Sequence, residues 1–305
     1  MGSAQIHGQG EKIMLRTRFT SVGVLAAGLL GLGCLVASQP ATAASRAPAA
    51  SPLIGGYKVV TVTQTANAGA VSTATAACPS PKDVVGGGAS GSANIGHLEN
   101  IQSSYPSGTA AWTATVTNTD SVNGTFTVYA ICATVHGAYG TVFGQAVESP
   151  SGSQTGAVAD CPTTTSALSG GGYNTLSVLG VDLNLEEPLA ASPSPIDGFG
   201  SDTNNTSSSD DNATQAVAVC MTTPQGYEVV TGSNVTVPAQ SQGSTSVSCP
   251  SGTVVTGGGV FDQESSDTVD LNASFPAGET AWDIFENNPS SFSDPLTGYA
   301  ICAKP

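Results

Sequence analysis

The sequence predicts an all-β fold made of three tandem, disulfide-closed repeats, and three observations carry that prediction. No stretch beyond residue 56 sustains helical spacing of apolar residues over three turns. Apolar and polar residues alternate instead, as in Trp112, Ala114 and Val116 against Thr113, Thr115 and Thr117, or Phe126, Val128, Ala130 and Cys132 against Thr125 and Thr127. The same string of motifs then occurs three times, which is the sequence signature of a repeat architecture.

The amino terminus stands outside this pattern. Arg16 and Arg18 precede an apolar run from Val22 to Val36, and Ala41-Thr42-Ala43 supplies the small residues a signal peptidase needs, so residues 1–43 read as a secretory signal peptide with Met14 as a plausible start. The run is short for a membrane span and no comparable run follows, so no transmembrane segment is expected. Cys34 offers a second reading as a lipoprotein anchor, because Leu30-Gly31-Leu32-Gly33 resembles a lipobox with Gly31 where Leu is usual. Residues 44–56, rich in Ala, Pro and Ser, read as a flexible leader.

Three repeats follow, at 57–138, 139–226 and 227–305. They open with Tyr57-Lys58-Val59-Val60, Tyr139-Gly140-Thr141-Val142 and Tyr227-Glu228-Val229-Val230. Each reaches a Cys-Pro pair (Cys78-Pro79, Cys161-Pro162, Cys249-Pro250) and then a glycine triplet (Gly86–Gly88, Gly170–Gly172, Gly257–Gly259). A glycine triplet inside a strand-like stretch marks a bulge or a place where another backbone passes closely. The first and third repeats continue through Ser104-Tyr105-Pro106 and Ser274-Phe275-Pro276 to Trp112 and Trp282, and close on Tyr129-Ala130-Ile131-Cys132-Ala133 and Tyr299-Ala300-Ile301-Cys302-Ala303. The second repeat is divergent: Phe199 stands where tryptophan is expected, and the ending reads Ala216-Val217-Ala218-Val219-Cys220.

Within each unit the two cysteines lie 54, 59 and 53 residues apart, which pairs Cys78 with Cys132, Cys161 with Cys220 and Cys249 with Cys302. A cyclic pairing between neighbours respects the symmetry only if the third repeat closes back on the first. Each unit has room for five or six strands, and Asn123-Gly124 reads as the turn of a hairpin between two of them. Two architectures fit: three small sandwiches in a row, or one pseudo-threefold body resembling a β-prism. The run of Cys-Pro, glycine triplet, Ser-aromatic-Pro, Trp and Tyr-Ala-Ile-Cys-Ala resembles a repeat found in secreted proteins of high-GC Gram-positive bacteria. The resemblance covers nearly all of the chain after the leader, and implies an extracellular location without implying an activity.

With 22 acidic against 7 basic residues and a net charge of −15, the chain is a poor partner for nucleic acid. The acids concentrate in repeats two and three. His97 and His136 recur in no other repeat, and no nucleophile elbow, zinc spacing, Walker loop or dinucleotide fingerprint is present. Carboxylates are the remaining route to catalysis: on a strand, Asp182 and Glu186 would share a face, as a polysaccharide hydrolase requires of its acid pair. The oxygen-rich segments Asp202–Asp211 and Asp262–Asp270 suit structural calcium, and no other cofactor is expected. Recurrence of Trp112 and Trp282 marks a shared core, whereas Tyr105 and Phe275, beside Pro and Gly, read as exposed turn aromatics able to stack on a ligand. The function expected is therefore a secreted, non-catalytic binding or structural protein contacting extracellular polysaccharide, the cell envelope or another secreted protein, with a secreted hydrolase as the alternative.

Overall fold

The computed structural model describes residues 54–92, 99–189, 198–209, 211–262 and 268–305, all within one compact unit. The expected signal peptide, with Met14 and Cys34, and His97 lie outside the described residues. Among the described residues there are nineteen strands in three antiparallel sheets and no helix. Repeat one holds β1 (Ile54–Ala66), β2 (Ala70–Ala77), β3 (Asp83–Ser90), β4 (Glu99–Pro106), β5 (Ala111–Asn118) and β6 (Gly124–Val135). Repeat two holds β7 (Tyr139–Phe143), β8 (Val147–Ser149), β9 (Ser153–Asp160), β10 (Thr165–Asn174), β11 (Val181–Leu189), β12 (Gly198–Asn205) and β13 (Asn212–Thr222). Repeat three holds β14 (Glu228–Val237), β15 (Ser241–Ser248), β16 (Val254–Asp262), β17 (Asp270–Pro276), β18 (Ala281–Asn288) and β19 (Asp294–Ala303). The last residues of the expected leader are therefore ordered: Ile54 is buried and pairs with Val135, because β1 needs that length to cover β6.

No repeat makes a sheet of its own. The sheets run β1-β6-β3-β17-β18-β15, β2-β5-β4-β10-β13-β7 and β14-β19-β16-β11-β12-β9, so each joins half of one repeat to half of another. We call them the 1–3, 1–2 and 2–3 sheets. The exchange is cyclic, which makes the architecture the closed pseudo-threefold one and not a row of sandwiches. It also corrects the expected hairpin at Asn123-Gly124: β5 lies in the 1–2 sheet and β6 in the 1–3 sheet, so the loop carries the chain across an edge. Asn118 makes that crossing, its amide donating to the carbonyls of Ala66 and Val122 and its Oδ1 accepting from Asp120 N. Asn205 and Asn288 repeat the device in the other units. Asn288→Ala strips donors from two carbonyls at once and should cost about 2 kcal/mol in equilibrium denaturation.

Each disulfide ties the two half-sheets of one repeat: Cys78–Cys132, Cys161–Cys220 and Cys249–Cys302, all within their own unit. The opening tyrosines tie one repeat to another. Tyr57 donates its hydroxyl to Val255 O, Tyr139 to Val84 O and Tyr227 to Ala167 O, three equivalent carbonyls, so the clasp runs from repeat one to three, two to one and three to two. The ring is closed by these bonds as well as by the sheets.

The glycine triplets fill both roles expected of them. A bulge precedes each, at Val85, Leu168 and Thr256. Register aligns Gly86-Gly87-Gly88 with Ser169-Gly170-Gly171 and Gly257-Gly258-Gly259, so the second triplet is displaced by one residue. At the middle position, Gly87, Gly170 and Gly258 lie under Trp112, Phe199 and Trp282, which confirms Phe199 as the counterpart of the tryptophans. At the third position, Gly88, Gly171 and Gly259 pass the backbone carbonyls of Ser274, Ser104 and Glu186 from a neighbouring repeat. First-position residues meet one another: a Cβ on Gly86 or Gly257 would fall within 3.0 Å of the Ser169 Cβ. The centre has room for one Cβ, and Ser169 supplies it.

Candidate functional site

Aligning the repeats on Pro106, Pro188 and Pro276 by strand register brings two sets of residues into view. Asn100, Asp182 and Asp270 occupy one equivalent position, opposite Thr117, Asn204 and Asn287. Thr117 Oγ1 donates to Asp182 Oδ1 at 2.5 Å, Asn204 Nδ2 to Asp270 Oδ1 at 3.0 Å, and Asn287 Nδ2 to Asn100 Oδ1 at 2.8 Å. Every one of these bonds crosses to the next repeat, and the last returns to the first. Asn100 also donates to Asp270 Oδ2 at 2.9 Å and to Asp182, so the two carboxyls share one amide. Burial raises the pKa of Asp182, opposed by the bonds from Thr117 and Asn100.

Glu186 sits elsewhere. A bulge at Asn184 shifts the β11–β12 register, leaving Asp182 opposite Asn204 and Glu186 opposite Ser201. Asn204 and Ser201 are three apart on a strand paired without interruption to β9, so they face opposite ways. Asp182 and Glu186 therefore do not share a face, and the acid pair expected of a hydrolase is not assembled; the single inserted residue accounts for the difference. Glu186 takes the place of Ser104 and Ser274, which accept the indole N–H of Trp112 at 3.0 Å and of Trp282 at 2.9 Å. Phe199 has no N–H to give, and the Glu186 carboxyl accepts instead from Gly172 N at 3.1 Å, where the other repeats carry Ala89 and Val260. Burial pushes the Glu186 carboxyl up to about 8, and burial followed by the Asp202 charge pushes Glu187 up to about 7.

Tyr105, Glu187 and Phe275 form the second set. Each follows the residue that turns inward to the core, so each points to the outer face of its sheet. Tyr105 and Phe275 are thus half-buried strand residues, not turn residues, and they lie on different sheets. On the 1–2 sheet Tyr105 meets Tyr173 edge-on at 4.9 Å between centroids, and Phe143, 46% exposed, lies beyond at 6.4 Å. On the 1–3 sheet Phe275 lies 4.9 Å from Tyr129 and 6.4 Å from Phe285, both nearly parallel to it. Gly88 between β6 and β17 leaves the space in which the first two rings meet. The 2–3 sheet replaces this strip by Glu187 between Asp202 and Tyr299, whose hydroxyl pKa is raised by burial and then by Glu187.

His136 is exposed beyond the end of β6, apart from both sets. Of the two oxygen-rich segments, residues 202–205 belong to β12, Ser207 and Ser209 bond to one another and to Asn205, and residues 210 and 263–267 lie outside the described residues. Among the described residues no three His, Cys, Asp or Glu side chains converge, and no helix is long and apolar enough to cross a membrane. Sequence reasoning missed the cycle of hydrogen bonds through Asn100, Asp182 and Asp270 and the role of Glu187, although Glu186-Glu187-Pro188 could have been aligned with Ser104-Tyr105-Pro106 from the proline alone.

Fold and site define a closed, disulfide-braced β body, its inter-repeat polar groups engaged with one another and aromatic strips on two of its three outer faces. Three disulfides fit an oxidising, extracellular compartment. No protein-family model matches the chain, and no curated protein matches it.

Proposed function

We propose that the protein is a secreted, non-catalytic binding body that holds an uncharged extracellular polymer, polysaccharide above all, against the aromatic strips of the 1–2 and 1–3 sheets. The observation that carries this reading is the Tyr105–Tyr173–Phe143 strip, which lies outside the core and presents apolar ring surface beside the uncharged partners Thr113 and Gln215. Aromatic side chains with a polar tip suit a ligand that is apolar on one face and hydroxylated at its rim. A net charge of −15 disfavours anionic envelope polymers and nucleic acid alike, and Glu187 with Asp202 concentrates that effect on the third face. Two strips on one body add avidity without requiring either to bind tightly.

Retention of the oxidised protein on insoluble neutral polysaccharides, scored together with released sugar, tests the reading. Retention without release is expected, weakened roughly tenfold in affinity by Tyr105→Ala and further by adding Phe275→Ala, about 1.4 kcal/mol for the first step. Equal retention of the double variant, with its thermal transition intact, would remove the strips from the function.

A further inference from the structure

Strand β11 carries three carboxyls, Asp182, Glu186 and Glu187, of which the first two are 5% and 2% exposed. It packs against β4, β10, β12, β16, β17 and β19, and none of these strands contains Lys, Arg or His. The titratable groups they carry are Glu99 and Tyr105 on β4, Tyr173 on β10, Asp202 on β12, Asp262 on β16, Asp270 on β17, and Asp294 and Tyr299 on β19. All become anionic on losing a proton, so these strands offer the β11 carboxylates no cation. Asp270 shares the Asn100 amide with Asp182, and Asp202 and Tyr299 flank Glu187.

Glu186 is also the residue at which the 2–3 sheet is joined. The two halves of that sheet meet through one residue pair, Glu186 with Val260, whereas the other two sheets are joined at Ser104 and at Ser274. A buried acid therefore stands at the joint of one sheet, and a hydroxyl stands at the joint of the other two.

We propose that β11 is a proton-operated latch that closes the joint between repeats two and three while its carboxyls keep their protons and loosens it as they are lost. The direction follows from linkage. A carboxyl that binds its proton more tightly in the folded chain stabilises the fold fully below its unfolded value, and that stability is lost as the pH rises toward the folded one. For Glu186 the window runs from 4.5 to about 8. Burial raises Asp182 and Glu187 in the same direction, so the three act together. The 1–3 and 1–2 joints carry serine at this position, a group that does not titrate in this range. The latch is independent of polymer binding, because it acts through one sheet joint and not through the aromatic strips.

The test is equilibrium denaturation of the whole oxidised chain from pH 5 to 9.5, with amide exchange corrected for intrinsic rate. The unfolding constant is expected to rise by about a hundredfold or more between pH 6 and 9, with protection lost first in β11 and β16. Glu186→Gln should flatten most of the rise, and Glu186→Ser, which installs the residue of the other two joints, provides a second variant. A rise of the same size in either folded variant, no rise in the wild type, or equal loss of protection at all three joints would overturn the latch.

Discussion

Gly87→Ala is expected to destabilise the protein by about 3 kcal/mol or more, the upper range for overpacking a core. A Cβ at this position falls inside the 3.0 Å that real Cβ atoms keep, against the Trp112 ring on one side and the Tyr129 carbonyl on the other. Neither neighbour can yield. The carbonyl belongs to β6, paired along its length with β1 and β3, and the indole is fixed by its bond to Ser104 in a fully buried site. Gly258→Ala meets the same obstacles in Trp282 and Tyr299. Gly140→Ala is the matched control, a strand glycine with open space around its missing Cβ, and should leave stability within about 0.5 kcal/mol of wild type or slightly raise it. Denaturant midpoints of the three variants check the expectation. Equal, small losses at all three positions would mean that the glycines serve flexibility and not close packing.

The same glycines show how far the sequence could be read. That a bulge lies beside them, and that something passes close to them, is a local property carried by three adjacent residues. Which backbone passes is not local: Gly88, Gly171 and Gly259 face carbonyls from another repeat, and nothing in a single repeat names its neighbour. The disulfide pairing was legible because both cysteines lie in one unit, and the tryptophan core because alternation along β5 exposes it. The allocation of strands to sheets was not. Asn123-Gly124 carries the composition of a hairpin turn, yet the Asn118 amide captures Ala66 and Val122 and sends the chain to a different sheet. For the candidate site the loss was sharper. Counting by twos along β11 places Asp182 and Glu186 together, and the extra residue at Asn184 reverses that count. A bulge leaves no mark in composition, so spacing arguments fail wherever one occurs. What remained readable was Pro188, which aligns Glu186 with the two serines and exposes the paired change of Ser to Glu and Trp to Phe.

Removing one disulfide by the double substitution Cys249→Ala and Cys302→Ala is expected to cost about 4 kcal/mol, the chain-entropy value for closing a loop of 53 residues, and to shift one transition without splitting it. The magnitude follows from loop length, the cooperativity from topology. Repeat three lends β15, β17 and β18 to the 1–3 sheet and keeps β14, β16 and β19 in the 2–3 sheet, so it cannot unfold alone without leaving β3 and β11 with unpaired edges. The interior follows the same logic: Val84, Leu168 and Val255, one from each repeat, belong to a single apolar cluster together with Trp112 and Trp282. The Tyr57 hydroxyl adds a direct tie from repeat one to Val255, and Tyr227 ties repeat three to Ala167. Removing this disulfide should therefore lower the global unfolding transition of the whole body and not that of repeat three alone. Far-ultraviolet circular dichroism and tryptophan fluorescence, which report Trp112 in repeat one and Trp282 in repeat three, should give coincident curves at a lower midpoint. Limited proteolysis of the variant should release no stable fragment of repeat length. A biphasic curve, or a protected fragment spanning 57–138, would mean that a repeat can hold its two half-sheets together without the neighbours that complete them.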